Sequence, residues 1–80
     1  MKDLYDVVTV KATKDYQLML KFENGEDRLF DMSHIINKRP FDRLKGSIFM
    51  AARVEYGTVV WPGNIDIAPE TLYDRSIPLQ

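Results

Sequence analysis

Tyr16, Leu18, Leu20 and Phe22 recur at a strict period of two, with Gln17, Met19 and Lys21 between them, and Asn24-Gly25 follows at once. A period of two belongs to a strand with one buried face. Asn-Gly suits a tight hairpin turn because both positions tolerate positive φ. The chain is therefore expected to double back and pair. VVTVKA (7–12), joined through the polar Thr13, Lys14 and Asp15, supplies one neighbouring strand. DRLFDM (27–32) supplies the other, with Arg28, Phe30 and Met32 on one face and Leu29 on the opposite one. Its pattern is less clean, as suits an edge. The result is an antiparallel meander of three strands.

The period then changes. Ser33 is placed to cap a short helix over HIIN, and Pro40 pushes Arg39 out of the helical region and ends it. FDRLK follows as a helical turn or two that stops at Gly46, and Ser47 is placed to cap another turn over IFMAA. Arg53 to Tyr56 and Thr58 to Trp61 read as a second hairpin around Gly57, halted by Pro62, which has no N–H for a ladder. After a loop at Gly63 and Asn64, Pro69 suits the first position of a helix and Glu70 its positive end, giving a short C-terminal helix over PETLY. Residues 1–80 are thus one small α+β domain: a meander, short irregular helices, a second hairpin and a short C-terminal helix, with 76–80 a loose tail.

A chain of this length buries only about 60–65% of the surface its unfolded form exposes, so its core is small. There is no cysteine, which excludes disulfides, thiolate metal sites and a thiol nucleophile. No run approaches the roughly 20 apolar residues of a membrane span, and the N-terminus alternates charge with apolarity, unlike a secretory signal. A cytoplasmic address is the expectation. Eleven basic residues against 12 acidic ones leave a net charge of −1, without the broad positive field on which non-specific nucleic-acid binding rests.

The strand pair around YQLMLKFENGEDRLFDM, the segment PFDRLKGSIF and the block VVWPGNIDIAPETLY, with Trp61, Asp66, Pro69, Leu72 and Tyr73 at its signature places, resemble the bacterial family of domain of unknown function 2442. The resemblance extends over almost the whole chain. It implies a compact α+β domain with an antiparallel sheet and carries no established activity. Members of that family stand alone or precede a helix-turn-helix module, and stand-alone members are often encoded beside another small protein. That setting implies an accessory role in a regulatory or toxin-antitoxin-like pair.

Several constellations compete for a function. His34, the only histidine, lies three residues after Asp31, and with Asp66 these would be the parts of a small hydrolase-type site if one cleft held all three. Asp66 and Glu70 form a second acid pair, for which helix capping and dipole pairing are the favoured reading over acid-base chemistry. Lys38, Arg39, Arg43 and Lys45, interrupted by Asp42, make the most basic piece of the chain, suited to phosphate or to an acidic partner, or simply a solvated face. The corner Pro62, Gly63, Asn64 and Asp66 is the exposed part of the C-terminal block, next to a Trp61 expected in the core. Phosphate loops, dinucleotide fingerprints, nucleophile elbows and zinc motifs are absent from the sequence. The leading expectation is a non-catalytic interaction domain without cofactor that pairs, through its sheet, with a second copy or another small protein. Nucleic acid bound along 38–45 is the alternative.

Overall fold

The computed structural model describes residues 5–79. It is mostly β, with 3₁₀ turns and one short helix. β1 (Val7–Ala12), β2 (Gln17–Phe22) and β3 (Asp27–Asp31) form the expected meander. Leu18, Leu20 and Phe22 are buried, as their alternation requires. Tyr16 precedes the strand at a positive φ of 63° and packs edge-on against Phe49 with ring centroids 5.1 Å apart.

The β2–β3 turn departs from the two-residue form. Gly25 donates its N–H to the Phe22 carbonyl at 2.9 Å, Phe22 donates to Glu26 at 3.0 Å, and only Gly25 takes a positive φ, of 90°. The loop is therefore Glu23–Gly25, a tight turn followed by a left-handed glycine. Asn24 serves instead through its side chain, accepting from the Glu26 N–H at 3.1 Å and donating to the Glu26 carboxylate at 2.9 Å.

Two further strands lie where loop or tail was expected. β4 (Arg53–Glu55), β5 (Thr58–Trp61) and β6 (Ile65–Ile67) make a second antiparallel sheet in the order β4-β5-β6. Tyr56 and Gly57, at φ 53° and 77°, are the two-residue loop of its first hairpin. Ile65 and Ile67 are buried and Asp66 faces out, an alternation confined to three residues. At the other end β7 (Ile77–Pro78) pairs with β3, so the first sheet has the order β1-β2-β3-β7. The expectation of a loose tail over 76–80 is thereby corrected for 76–79: Ser76 is buried, Leu29 pairs with Ile77, and Leu79 donates its N–H to the Asp27 carbonyl at 2.9 Å. Gln80 lies outside the described residues. By the same pairing β3 is an inner strand, not an edge.

The middle is turns rather than a helix over HIIN. Asp31, not Ser33, supplies the capping oxygen, accepting from the Ser33 N–H at 2.9 Å, and Met32 accepts from both Ile35 and Ile36. The 3₁₀ turns Phe41–Leu44 and Ser47–Ala51 follow, each contributing one buried residue, Leu44 and Phe49. Helix α1 (Pro69–Asp74) begins with its proline as foreseen, but Ala68 is its N-cap, so Asp66 caps nothing.

All these elements converge on one core. Trp61, 1% exposed, stacks on Phe49 with centroids 5.9 Å apart and donates its indole N–H to the Phe49 carbonyl at 3.0 Å. A buried indole N–H needs such a partner, and the 3₁₀ turn provides it.

Candidate interaction surfaces

Arg28 points to the inner side of the first sheet, between Leu20 and Pro78 in register. Its guanidinium donates to Ser76 Oγ at 2.7 Å, to the Ser76 carbonyl at 2.9 Å and to Glu26 Oε1 at 2.6 Å, and it lies 4.3 Å over the Tyr73 ring. Tyr73 in turn donates its hydroxyl to Glu26 Oε2 at 2.7 Å. These hydrogen bonds hold the Glu26 carboxyl below its ordinary range, the Tyr73 bond first and the Arg28 bond next, and the same carboxylate raises the Tyr73 hydroxyl. The cluster is a clamp between the β2–β3 hairpin and the C-terminal segment. Every charge in it is spoken for within the chain, which makes it structural.

The residues proposed for acid-base chemistry do not share one cleft. His34 Nε2 stands 4.0 Å from Asp31 Oδ2, and its side chain is 86% exposed. Both border an open groove of about 390 Å³ whose floor is Phe30, Ile35, Phe41 and Ile67 and whose rim includes Arg75. Asp66 borders a different groove, with Arg53, Tyr56 and Asn64. The Asp31 carboxyl is held below its ordinary range by its bonds from Ser33, chiefly the backbone N–H. A depressed carboxyl of that kind is a poor general base near neutrality. Glu70, the other member of the second acid pair, is exposed on the first turn of α1. Among the described residues no group of three or more histidine and acidic side chains is arranged to hold a metal ion.

Lys38, Arg39, Arg43 and Lys45 are all exposed, and among the described residues none has a carboxylate partner. Arg39 and Arg43 line one shallow groove with Pro40 and Asp42. Pro62, Gly63 and Asn64 are the exposed β5–β6 turn, with Gly63 and Asn64 at φ 93° and 63°. The basic segment and this corner border separate grooves.

The sheet was expected to carry a partner contact, but the outer face of the first sheet was not singled out in the sequence. Register carries a row across it through Lys11, Met19, Leu29 and Ile77. Met19 is 43% exposed, Ile77 59% and the adjoining Leu79 44%. The available signal was an apolar residue at an outward position, Met19 between Gln17 and Lys21 and Leu29 between Asp27 and Asp31.

The family profile described as "Protein of unknown function (DUF2442)" matches residues 7–78. The chain belongs to the DUF2442 family. The match runs from the start of β1 to the end of β7, so both sheets, the turns between them and α1 are parts of one DUF2442 unit. No curated protein and no solved structure matches this DUF2442 chain. No helix among the described residues is long and apolar enough to cross a membrane.

Proposed function

We propose that this DUF2442 chain is a non-catalytic protein-interaction domain, the accessory partner in a small regulatory or toxin-antitoxin-like pair. The observation that supports the reading is the apolar row Met19, Leu29 and Ile77 on the solvent side of the four-stranded sheet. Apolar area at the centre of a sheet face, rimmed by Lys11, Lys21 and Asp27, has the layout of a binding patch with a polar rim. The test is capture from the native cell with a tagged chain beside its Met19→Asp variant. A small protein retained by the first and released by the second is the expected result. Equal capture by both removes the reading.

The four exposed cations at 38–45 favour a second reading, a nucleic-acid-associated regulator that holds phosphates through Arg39 and Arg43. A gel shift at low salt, where phosphate contacts are strongest, checks it. Binding that disappears in an Arg39→Ala/Arg43→Ala chain supports it, and no shift at low salt dismisses it.

A further inference from the structure

The outer face of the four-stranded sheet is complementary to itself. Two rows cross it: Lys11, Met19, Leu29 and Ile77, and beside it Thr9, Lys21 and Asp27, with Leu79 next to Asp27 through their 2.9 Å backbone bond. Consider a two-fold axis lying in the plane of contact, parallel to the strands and midway between β2 and β3. Such an axis exchanges the two sides of the face. Met19 of one copy then meets Leu29 of the other, and Leu29 meets Met19. Lys21 meets Asp27, and Asp27 meets Lys21. Since Lys21 Nζ and Asp27 Oδ1 already lie 3.2 Å apart within one chain, the two copies together complete a square of alternating charges. The stem of Lys11 falls over the exposed Ile77 of the opposite copy, as long cationic side chains cover apolar surface while keeping the head in water.

We infer that the occupant of this face is a second copy of the chain, packed sheet against sheet about that two-fold axis. The inference rests on the interaction-domain reading and deepens it by naming the partner. An isologous contact needs a patch that is self-complementary, and both the apolar and the charged pairs meet this condition under one operator. Aligned sheets pack about 10 Å apart, close enough for Met19 and Leu29 to interdigitate. The strands β1, β2, β3 and β7, of 6, 6, 5 and 2 residues, offer a plan area on the order of 300 Å² per copy, below the ordinary size of a stable interface, so the dimer is a weak one that forms only at high micromolar concentration.

Sedimentation equilibrium from about 1 to 300 µM tests this, the range in which so small an interface titrates. The unaltered chain is expected to pass from monomer to dimer. Lys21→Glu and Asp27→Lys, each of which faces like charges across the axis, are expected to weaken self-association about tenfold. Mixed in equal amounts, the two variants face opposite charges at both corners and should form a heterodimer at least as tight as the unaltered pair. Circular dichroism on each variant separates lost association from lost folding. A chain monomeric throughout the range overturns the inference, as does a mixture that fails to associate. A monomeric chain that still captures another protein through Met19 overturns the second copy and leaves the interaction domain standing. A dimer that obeys the charge exchange while nothing else is captured does the reverse, removing the accessory-partner reading and keeping this one.

Discussion

The two sheets treat their outer faces differently. In the three-stranded sheet Val59, Trp61, Ile65 and Ile67 all turn inward, and the row in register on the other side is Arg53, Val60 and Asp66, charged at both ends. In the four-stranded sheet Leu18, Leu20, Phe22 and Phe30 turn inward as well, yet Met19, Leu29 and Ile77 remain on the outside. The three-stranded sheet is a core element with a solvated back. The four-stranded sheet has a core face and an outer face that keeps an exposed apolar row. Apolar residues beyond those the core uses are the informative ones, because a small domain has little reason to keep them in water.

The sharpest way to break this contrast is in the core half. Trp61→Ala should cost about 3–5 kcal/mol, the range for a large buried aromatic, and in a domain this small it can abolish folding. A denaturation midpoint that does not move would show that Trp61 is not what holds the second sheet to the 3₁₀ turns. Arg28→Met should cost about 1–3 kcal/mol, because it leaves Ser76 and Glu26 without their charged partner and frees β7 from β3. Amide exchange then quickens first at Ile77 and Leu79 if the clamp secures that edge.

Gly57→Ala probes the junction between the sheets. A Cβ there would come 2.5 Å from the Asp6 carboxyl carbon, on a residue at φ 77° whose carbonyl accepts the Val7 N–H at 2.8 Å. The left-handed conformation alone costs about 1–2 kcal/mol for a side-chain-bearing residue. Urea unfolding should show at least that loss, and an unchanged midpoint would mean that the hairpin is not pressed against β1.

A smaller effect follows from protonation. The Glu26 carboxyl is depressed below its ordinary 4.5, so its contribution is complete above that value and is lost as pH falls through the folded-state value. Tyr73 is raised above its ordinary 10.0, so its contribution is complete below pH 10.0 and is lost as pH rises through the higher folded value. Thermal melts of the Glu26→Gln chain should therefore depend less on pH at both extremes than those of the parent. The smallest effect belongs to the outer face: Met19→Ala should change stability by no more than about 0.5 kcal/mol. A large loss there would place Met19 in the core and erase the contrast between the sheets.

Much of this was legible from residue order. The alternation through Phe22, the hairpins at Gly25 and Gly57, the burial of Trp61 and the helix start at Pro69 are all local consequences of side-chain period or backbone preference. The surfaces were less legible. Lys38, Arg39, Arg43 and Lys45 were expected to be exposed and are, but Asp31 and His34 came together without Asp66, because Asp66 faces out of β6 beside Arg53 and Tyr56 while its neighbour Ile67 turns the other way, into the groove that Asp31 and His34 border. The apolar outer row was invisible as a unit, since Met19, Leu29 and Ile77 come from three separate segments.

Residue order alone therefore settled the extended segments of the meander and of the second hairpin, the turns that join them and which of their faces are apolar, since these depend on neighbours within a few positions. Only the assembled fold decided which strands become neighbours. Ile77 and Pro78 carry no strand signal of their own; they pair because β3 still has an open edge, and Arg28 holds them there through Ser76, 48 residues away. Ile65 to Ile67 is too short for its alternation to register, and it becomes a strand because β5 lies beside it. Hydrophobic burial is non-directional and says only that an apolar face must be covered. The hydrogen-bonding edges and charged pairs brought together by tertiary packing determine what covers it.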